Sequence, residues 1–560
     1  MQKSRFSETF GPIILMLGAV LLLIFARLFY IVFIAGEDYA AQAEATRTNT
    51  IPISAKRGTI YDRNGNAIAI SVESTTVSCN PSMVKDASGV AKALVEIYGG
   101  EESDYYEKLT KENATFNYLY RMGDVDKGEK LSELMEQEPD KFVGVYCTSE
   151  ARREYPYGSV GGQLIGRVNN DGEAICGLEL EYDDILKGTD GEYVVERNET
   201  GDYAIPGSVK LDVEAVNGQD IMVSIDITMQ TQVEQIISEK AAVQGESANA
   251  ILMDSSTGEI YAMCSTPYFN PADPSESESG SDVVSPITTA LEPGSMMKTI
   301  TAMGLLESGT MTPESSVDCP VILYADEYEI SDAFDRGATS LTLDQILTHS
   351  SNVGISLASD NIGAEGIYNN LQKSKVLKAT GIDFPGEAAG YVTTPENWSN
   401  IARYNITFGQ GVTVTPLAMA RFYAAICNNG TAVTPHFLLA KTQTGERPTY
   451  DTTNLGYSET TISDIKGMLH NVVENNESNE AGIDGFDVCG KTSTAEYSLD
   501  GSEYVTGNYN VGFCGFLNNT SLPLTCYVGI THSEATVTTT EVFHDIMKSA
   551  IEKYGIASIG

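Results

Sequence analysis

An unbroken apolar run near the N-terminus constrains this chain more than any other feature. Over residues 13–34 the only charged side chain is that of Arg27. A helix rises about 1.5 Å per residue, so a run of this length crosses the roughly 30 Å hydrocarbon core of a membrane. Lys3 and Arg5 precede the run, and cationic flanks favour the cytoplasmic side. We therefore predict a single-pass protein of the cell membrane, with a cytoplasmic N-terminus and the bulk of the chain extracytoplasmic.

A cleaved signal peptide is the alternative interpretation of this run. The Ala-Gln-Ala sequence at 41–43 resembles a cleavage site. The apolar core of a signal peptide usually spans only about 7–15 residues, however, so the length favours a permanent anchor. Arg27 lies well inside the run, and its side chain must either extend to the outer headgroups or face a partner helix.

The composition excludes some classes of function. The 560 residues carry a formal net charge of −42 at pH 7. A general nucleic-acid-binding protein would present a basic face, so we expect no nucleic-acid partner. The nine cysteines are scattered and cannot all pair within one chain. The sequence has no Cys-x-x-Cys and no histidine cluster, and we expect neither a metal nor another cofactor.

The chemistry of the chain concentrates in residues 292–298, which read Glu-Pro-Gly-Ser-Met-Met-Lys. The Pro-Gly pair ends the preceding element, and the apolar residues over 296–306 predict a buried helix that opens at Ser295. Residues three apart share one face of a helix, so Lys298 would lie beside the hydroxyl of Ser295. A lysine whose pKa is lowered by burial can act as the base for such a serine.

Ser-x-x-Lys alone is a weak signal, because two further matches begin at Ser82 and Ser463. The first lies in a polar region, and the second opens an ordinary amphipathic helix pattern. Ser295 differs from these two matches because further motifs follow it in the chain. They are Ser-Ser-Asn at 350–352 and Lys-Thr-Ser at 491–493. In this order the three elements approach the Ser-x-x-Lys, Ser-Asp-Asn and Lys-Thr-Gly set of penicillin-recognising serine enzymes.

With these residues in place, nearly the whole chain resembles the class B penicillin-binding proteins, which are membrane-anchored peptidoglycan transpeptidases. Residues 57–65 and 177–182 look like the family's pedestal motifs. Four further stretches look like signatures of its transpeptidase domain: 292–295, 381–387, 408–411 and 511–513. The division and sporulation branch looks closest, because long inserted segments of the elongation type are not evident.

The resemblance implies an α/β (α+β) fold in four parts. They are a cytoplasmic tail over 1–11, a transmembrane helix over 12–34, an elongated pedestal of the dimerisation type over 35–218, and a penicillin-binding transpeptidase domain over 219–560. The last part should hold an antiparallel sheet flanked by helices and an all-helical subdomain. The residues themselves read as strands over 249–253, 259–263, 487–497, 510–517 and 524–531.

The resemblance also implies a role for each residue around the serine. Ser295 would attack the carbonyl of the penultimate D-alanine of a peptidoglycan stem peptide, and Lys298 would take its proton. Lys298 would be kept neutral by Lys491 nearby. Ser350 would relay the proton to the leaving amine, and Asn352 would hold Lys298 and the substrate amide in place. β-Lactams would then act as covalent inhibitors.

A second group of site residues follows on the strand that carries the Lys-Thr-Ser sequence. By the resemblance, Lys491 and Thr492 would bind the terminal carboxylate of the substrate, and Ser493 and Thr494 would line the same strand. The backbone N–H groups of Ser295 and Thr494 would form the oxyanion hole. No metal enters this mechanism.

Two departures from the family pattern stand out. Ser493 replaces the glycine of Lys-Thr-Gly, and a side chain there could narrow the cleft or change inhibitor affinity. Residues 286–291 lack the Asn-Arg-Ala pattern often seen before the nucleophile. Neither departure removes a group that does chemistry.

The family resemblance also implies partners and leaves alternatives. A SEDS-type glycosyltransferase and divisome membrane proteins are the expected partners, because the first third of the chain has a span and a large pedestal but no evident chemistry. One alternative is a catalytically weak scaffold that activates such a polymerase, motivated by Ser493. A β-lactam sensor should have several spans and a cytoplasmic His-Glu-x-x-His, which the sequence lacks. A β-lactamase needs no such pedestal.

Overall fold

The computed structural model describes residues 5–36, 38–39, 48–196, 210–333, 336–475, 480–498, 504–533 and 539–559. The Ala-Gln-Ala sequence at 41–43, on which the signal-peptide alternative rests, lies outside these residues. By compactness the chain divides into two units. One contains Met1–Lys56 and Lys187–Gly218, and the other contains Arg57–Leu186 and Gln219–Gly560. The domain boundaries given above from the family resemblance stay predictions.

The first unit contains the long apolar helix predicted from the sequence. It runs over Arg5–Phe29 and continues as one π-helical turn over Tyr30–Ile34. Over Phe10–Ile34 it is long and apolar enough to cross a membrane, and its side chains there are not buried by the described chain. The same unit holds a three-stranded antiparallel sheet, in the order Thr48–Ile53, Gly191–Glu196 and Lys210–Val213.

The second unit begins with residues 57–186, which fall within the predicted pedestal. Its long strand Ala67–Cys79 pairs antiparallel with Val145–Glu154 and with Asn117–Gly123. Three helices cover this sheet: Ala87–Tyr98, Glu102–Leu109 and Val125–Gln137. Apolar side chains of the strands and helices form one buried cluster, because each element presents one apolar face to the others.

Two buried ion pairs and a tyrosine join the pedestal motifs to each other and to the transpeptidase region. Arg57 Nε donates to Glu179 at 2.6 Å, and Arg153 Nε donates to the other oxygen of Glu179 at 2.7 Å. The Glu179 carboxylate is fully buried, so it depends on both arginines for compensation of its charge. The hydroxyl of Tyr182 donates to Asp383 at 2.6 Å, which links the motif at 177–182 to the motif at 381–387.

The same unit also connects its two parts through strands. Ile60–Tyr61 pairs parallel with Ile221–Val223 and antiparallel with the start of Ala67–Cys79. Ile221–Val223 pairs antiparallel with Leu438–Lys441. Strands of the predicted pedestal and of the transpeptidase region therefore share one six-stranded sheet, and we call the pedestal strands of this sheet the pedestal base.

The transpeptidase region is built on the antiparallel sheet expected from the sequence. Its five strands lie in the order Ile260–Ser265, Ser247–Asp254, Leu524–Ser533, Tyr504–Asn518 and Asp487–Ser498. Helices Ile227–Ile236 and Thr539–Tyr554 pack together against this sheet, and Pro416–Cys427 and Glu459–Glu474 also pack against it. Asp487–Ser498 is an edge strand, so within the described residues its backbone pairs with a strand on one side only.

A largely helical subdomain adjoins this sheet. Its helices are Met297–Glu307, Leu343–Thr348, Asn352–Ser359, Gly363–Ser374 and Asn400–Thr407. Two small hairpins belong to it, Ser316–Cys319 with Thr339–Thr342 and Ile322–Ala325 with Tyr328–Ser331. Shorter elements complete the described chain: Gly162–Ile165, Gly177–Glu181, Asp183–Leu186, Ser285–Thr288, Arg167–Val168, Ala174–Cys176, Thr431–Val433 and Thr452–Asn454. The expected α/β fold, with one N-terminal apolar helix, is confirmed.

Candidate active site

The segment that carries Ser295 is a tight turn leading into a buried helix. A 3-10 turn over Gly294–Met296 runs directly into the helix Met297–Glu307. Ten of the eleven helix residues are buried, as the largely apolar sequence predicted. Gly294 has φ +52°, and a Cβ at this residue would lie 2.5 Å from the hydroxyl oxygen of Ser493. A glycine is therefore required before the serine, for both conformation and space.

Three polar side-chain atoms form a closed hydrogen-bonded cluster at the start of this helix. Lys298 Nζ lies 2.9 Å from Ser295 Oγ and 3.0 Å from Ser350 Oγ, within hydrogen-bond distance of both. Ser350 Oγ donates to Ser295 Oγ at 3.0 Å. The Ser350 carbonyl also accepts from Lys298 Nζ at 2.6 Å. The three residues are thus within proton-transfer distance of one another.

The electrostatics of the cluster favour a neutral amine on Lys298. Burial is the largest cause and holds the pKa of Lys298 well below its usual range. The charge of Lys491 lowers this pKa further, while the carboxylate of Asp332 opposes the shift. A neutral lysine has a lone pair that can accept the proton of a serine hydroxyl.

Ser350 is presented by a turn between two helices. The helices Leu343–Thr348 and Asn352–Ser359 flank it, and its φ is +54°, an uncommon value for a residue other than glycine. The Ser351 side chain caps the second helix by accepting from the N–H of Gly354 at 2.9 Å. The Ser-Ser-Asn sequence therefore combines the site residue with a helix cap.

The buried carboxylate of Asp332 holds the Ser350 turn in place through hydrogen bonds. Asp332 accepts from the Ser351 hydroxyl at 2.8 Å and from the Val353 N–H at 3.0 Å. Arg336 Nε donates to the same carboxylate at 2.6 Å. Asp332 lies only 2% exposed and its partner Arg336 10% exposed, so the pair is well shielded from water. Asp332 lies apart from Ser350 in the sequence and belongs to no motif, so the sequence alone could not identify it.

The amide of Asn352 does not make the contact that its expected role suggests. Its Nδ2 donates to the Ser331 carbonyl at 3.1 Å. Among the described residues, no hydrogen bond joins Asn352 to Lys298. Asn352 adjoins the cluster at the start of its helix, but here it ties the hairpin Tyr328–Ser331 to the turn. Its role toward Lys298 stays a prediction.

The Lys-Thr-Ser sequence lies on the edge strand Asp487–Ser498, and its side chains alternate between two faces. Lys491 and Ser493 are buried, whereas Thr494 is exposed and Thr492 half-buried. Burial lowers the pKa of Lys491 to about 7. Its Nζ lies 3.2 Å from Thr492 Oγ1. Burial thus weakens the preference of Lys491 for its charged form.

The Ser493 side chain points toward the turn that precedes Ser295. Its hydroxyl donates to the Pro293 carbonyl at 2.5 Å, and the residue is 7% exposed. The carbonyl of Thr494 faces Gly294. Its oxygen would lie 3.1 Å from a Cβ atom added to Gly294. The N–H of a strand residue points to the same side as its carbonyl, so the Thr494 N–H also faces the Gly294–Ser295 turn.

The two other Ser-x-x-Lys matches lack the hydrogen-bonded arrangement of Ser295. Ser82 Oγ donates to the Asn80 side chain at 2.6 Å. Lys466, the partner of Ser463, instead donates to the Cys427 carbonyl at 3.0 Å and to the Asn429 side chain at 2.9 Å. Geometry therefore singles out Ser295 among the three matches.

Comparison with known families agrees with this arrangement. The family described as Penicillin binding protein transpeptidase domain matches residues 248–548, more than half of the chain. The family described as Penicillin-binding Protein dimerisation domain matches residues 52–223. This chain is a class B penicillin-binding protein.

Individual relatives cover most of this penicillin-binding protein. Stage V sporulation protein D of Bacillus subtilis is 28% identical over 97% of this chain and 85% of its own length. Peptidoglycan D,D-transpeptidase FtsI of Escherichia coli is 30% identical over 76% of this chain and 71% of its own. Penicillin Binding Protein 2X from Streptococcus thermophilus has the same fold, with a TM-score of 0.75 at 21% identity, covering 90% of this chain and 80% of its own.

The structure also gives a reason for the Phe-Gly-Gln-Gly motif of this penicillin-binding protein. The N–H of Gly294 donates to the Gly409 carbonyl at 3.2 Å, and the N–H of Gly411 donates to Glu292 at 2.7 Å. A Cβ on Gly409 would lie 2.1 Å from the Gly294 carbonyl oxygen. The motif therefore supports the turn that presents Ser295, and glycine at 409 permits the close approach.

Proposed function

We propose that this protein is a peptidoglycan D,D-transpeptidase that works through an acyl-enzyme on Ser295. The observation that carries the proposal is the closed cluster of Ser295 Oγ, Lys298 Nζ and Ser350 Oγ, with each pair of atoms 2.9–3.0 Å apart. A relative of this chain in Escherichia coli bears the name of the same activity.

In the first half-reaction Lys298 accepts the proton of the Ser295 hydroxyl. Ser295 Oγ then bonds to the carbonyl carbon of the penultimate D-alanine of a stem peptide. The amide bond to the terminal D-alanine breaks, and Ser350 relays the proton from Lys298 to the leaving amine. Each proton transfer spans about 3 Å in the resting cluster, within the range for general acid–base catalysis.

The edge strand supplies the groups that hold the substrate. Lys491 titrates near neutral pH because it is buried, and a bound terminal carboxylate would favour its charged form. Thr492 adds a hydroxyl donor to the same carboxylate. The N–H groups of Ser295 and Thr494 would bind the developing oxyanion, each typically worth about 3–4 kcal/mol.

In the second half-reaction an amine from a neighbouring stem peptide attacks the Ser295 ester. A new amide bond forms, and the serine hydroxyl regains its proton through Lys298. β-Lactams would acylate the same oxygen, because their ring carbonyl takes the place of the D-alanine carbonyl. Division or sporulation is the growth stage that the resemblance favours, and one relative is named a sporulation protein.

The test is covalent labelling with a fluorescent penicillin. We expect the label on Ser295, with complete loss in Ser295→Ala at unchanged folding. Ser463→Ala is the matched control, since it removes the serine of another Ser-x-x-Lys, and it should label like the parent chain. Labelling that persists in Ser295→Ala, or that maps to Ser463, would refute the assignment.

We further propose that the N-terminal helix, together with residues 57–65, binds and activates a SEDS-type polymerase, with the N-terminus of the chain in the cytoplasm. Lys3 and Arg5 before the helix favour this orientation. The guanidinium of Arg27 lies 5.5 Å from the centroid of the Tyr30 ring, a distance at which a cation interacts with the ring face. A cation inside a span costs about 2.5–3.5 kcal/mol unless it is paired or reaches the interface, so the position of Arg27 within the span favours a partner.

Reconstituted membranes can test this partnership. Polymerase activity would be measured with the parent chain, with Arg27→Leu, and with the helix exchanged for an unrelated span. We expect activation by the parent chain and less by both variants. Equal activation and equal co-purification in all three would show that the helix is only an anchor.

A further inference from the structure

One cavity in this protein is lined by none of the residues of the proposed catalytic site. It has a volume of about 460 Å³ and lies between the helix Pro416–Cys427, the loop after Gly363–Ser374 and the segment that contains Asp451. Such a volume is in the range of small-ligand sites. Neither the proposed transpeptidase activity nor the comparisons assign a role to it.

Three cations without ion-pair partners among the described residues line this cavity. Arg421, Lys375 and Lys378 line it, against the single carboxylate of Asp451. Acidic residues outnumber basic ones by 77 to 35 in the chain as a whole, so three cations facing one cavity run against the general composition. Within the described ranges, none of the three forms an ion pair.

Arg421 is the deepest of these cations. Its Nε donates to the Val433 carbonyl at 2.8 Å, while its two terminal nitrogens donate to no group of the described chain and are not sealed from solvent. Burial lowers the pKa of Arg421, and only the nearby charge of Glu387 opposes this. The Glu387 carboxylate is itself engaged by Thr380 and the Gly381 N–H.

We propose that this cavity is a binding site for a ligand that carries a phosphate group. A guanidinium with two free terminal nitrogens matches the geometry of phosphate oxygens. Lys375 and Lys378 add two further positive charges, so the cavity has more positive charge than a ligand with a single carboxylate would neutralise. The hydroxyls of Thr449 and Thr453 at the cavity wall supply neutral donors, and the volume leaves room for a sugar-sized group attached to the phosphate.

The phosphate could belong to a phosphorylated saccharide or to a lipid headgroup, and two probes distinguish these sources. Glucose 1-phosphate represents the first and glycerol 3-phosphate the second. The full chain in non-ionic detergent would be titrated with each in a calorimeter, with glucose and glycerol as uncharged references. We expect saturable binding of at least one phosphate ester and none of the uncharged references.

Matched charge reversals then locate the site. Lys378→Glu, at an exposed position of the loop, should weaken binding at least about tenfold, equivalent to 1.4 kcal/mol. Lys548→Glu makes the same charge change at an exposed position of the helix Thr539–Tyr554 and should leave the affinity unchanged. Arg421→Gln should weaken binding at least as much as Lys378→Glu.

Penicillin labelling of Ser295 should be equal in all these variants, which separates this site from the proposed transpeptidase. Failure of either phosphate ester to bind saturably would overturn the proposal. So would equal weakening by Lys378→Glu and Lys548→Glu, because the binding would then reflect only the net charge of the chain.

Discussion

The hydroxyl of Ser493 provides the sharpest test of how the edge strand is held at the candidate site. The sequence raised the expectation that this side chain could crowd the cleft. In the structure it donates to the Pro293 carbonyl at 2.5 Å and is nearly buried. Two substitutions distinguish a side chain that narrows the cleft from one that anchors the strand to Pro293. Ser493→Ala removes the hydroxyl, and Ser493→Gly removes the Cβ as well.

The structure bounds the size of both effects. Ser493→Ala loses one buried neutral hydrogen bond, which costs about 0.5–1.5 kcal/mol. Ser493→Gly adds the backbone freedom of a glycine within a strand, a further 0.5–1 kcal/mol or so. If the whole cost appeared in the acylation barrier, the rate would fall by about tenfold at most for alanine, since about 1.4 kcal/mol is a factor of ten.

The assay is the rate of acylation of the full chain by a series of β-lactams that differ in side-chain bulk, together with thermal unfolding. We expect both variants to lower the melting temperature, glycine more than alanine, and to slow acylation by the same factor across the series. A rate that rises for bulky β-lactams, most of all in Ser493→Gly, would refute the reasoning and show that the side chain does narrow the cleft.

Three further predictions concern groups around the site and the pedestal. Asp332→Asn removes the carboxylate that raises the pKa of Lys298, so the acidic limb of the acylation rate should move to lower pH and the maximum rate should fall; an unchanged pH profile would contradict this. Burial raises the pKa of Glu234 from 4.5 to about 7, so its stabilisation is full below about pH 4.5 and is lost as the pH rises through 7. Glu234→Gln should therefore increase the free energy of unfolding at pH 8 by up to about 3 kcal/mol and raise the melting temperature there. At pH 4 the melting temperature should change little, and equal shifts at both pH values would exclude titration as the cause. Tyr182→Phe breaks the hydrogen bond to Asp383 and should cost about 1–3 kcal/mol in thermal unfolding at an unchanged acylation rate, whereas an altered rate would show coupling of this contact to the site.

Local spacing explains which parts of the site could be predicted from the sequence. Ser295 and Lys298 are three residues apart on one helix, so their contact follows from helix geometry alone. The order of the three motifs predicted that Ser350 and Lys491 would join them. The antiparallel sheet was likewise visible in strand-like runs, because alternation and apolar composition are local properties.

Contacts between distant segments explain what the sequence could not supply. Asp332 belongs to no motif, and only the folded chain brings it beneath the Ser351 turn. The direction of Ser493 depends on which face of its strand is buried, and a strand pattern alone does not fix that. The amide of Asn352 was assigned to Lys298 by resemblance, yet it donates to a hairpin carbonyl that no spacing rule would identify.

The six-stranded sheet at the base of the pedestal determines the order in which the chain can complete its fold. Ile60–Tyr61 can pair with Ile221–Val223 only after that later strand has been synthesised. Ile221–Val223 in turn pairs with Leu438–Lys441, which is synthesised later still. At the roughly 5–20 residues per second of synthesis, tens of seconds pass between the first and the last of these strands. During that time the early strands have an unpaired edge, which is prone to non-native pairing. A truncation before Leu438–Lys441 should therefore leave the pedestal base incomplete and prone to aggregation, even though the missing residues lie in the other part of the protein.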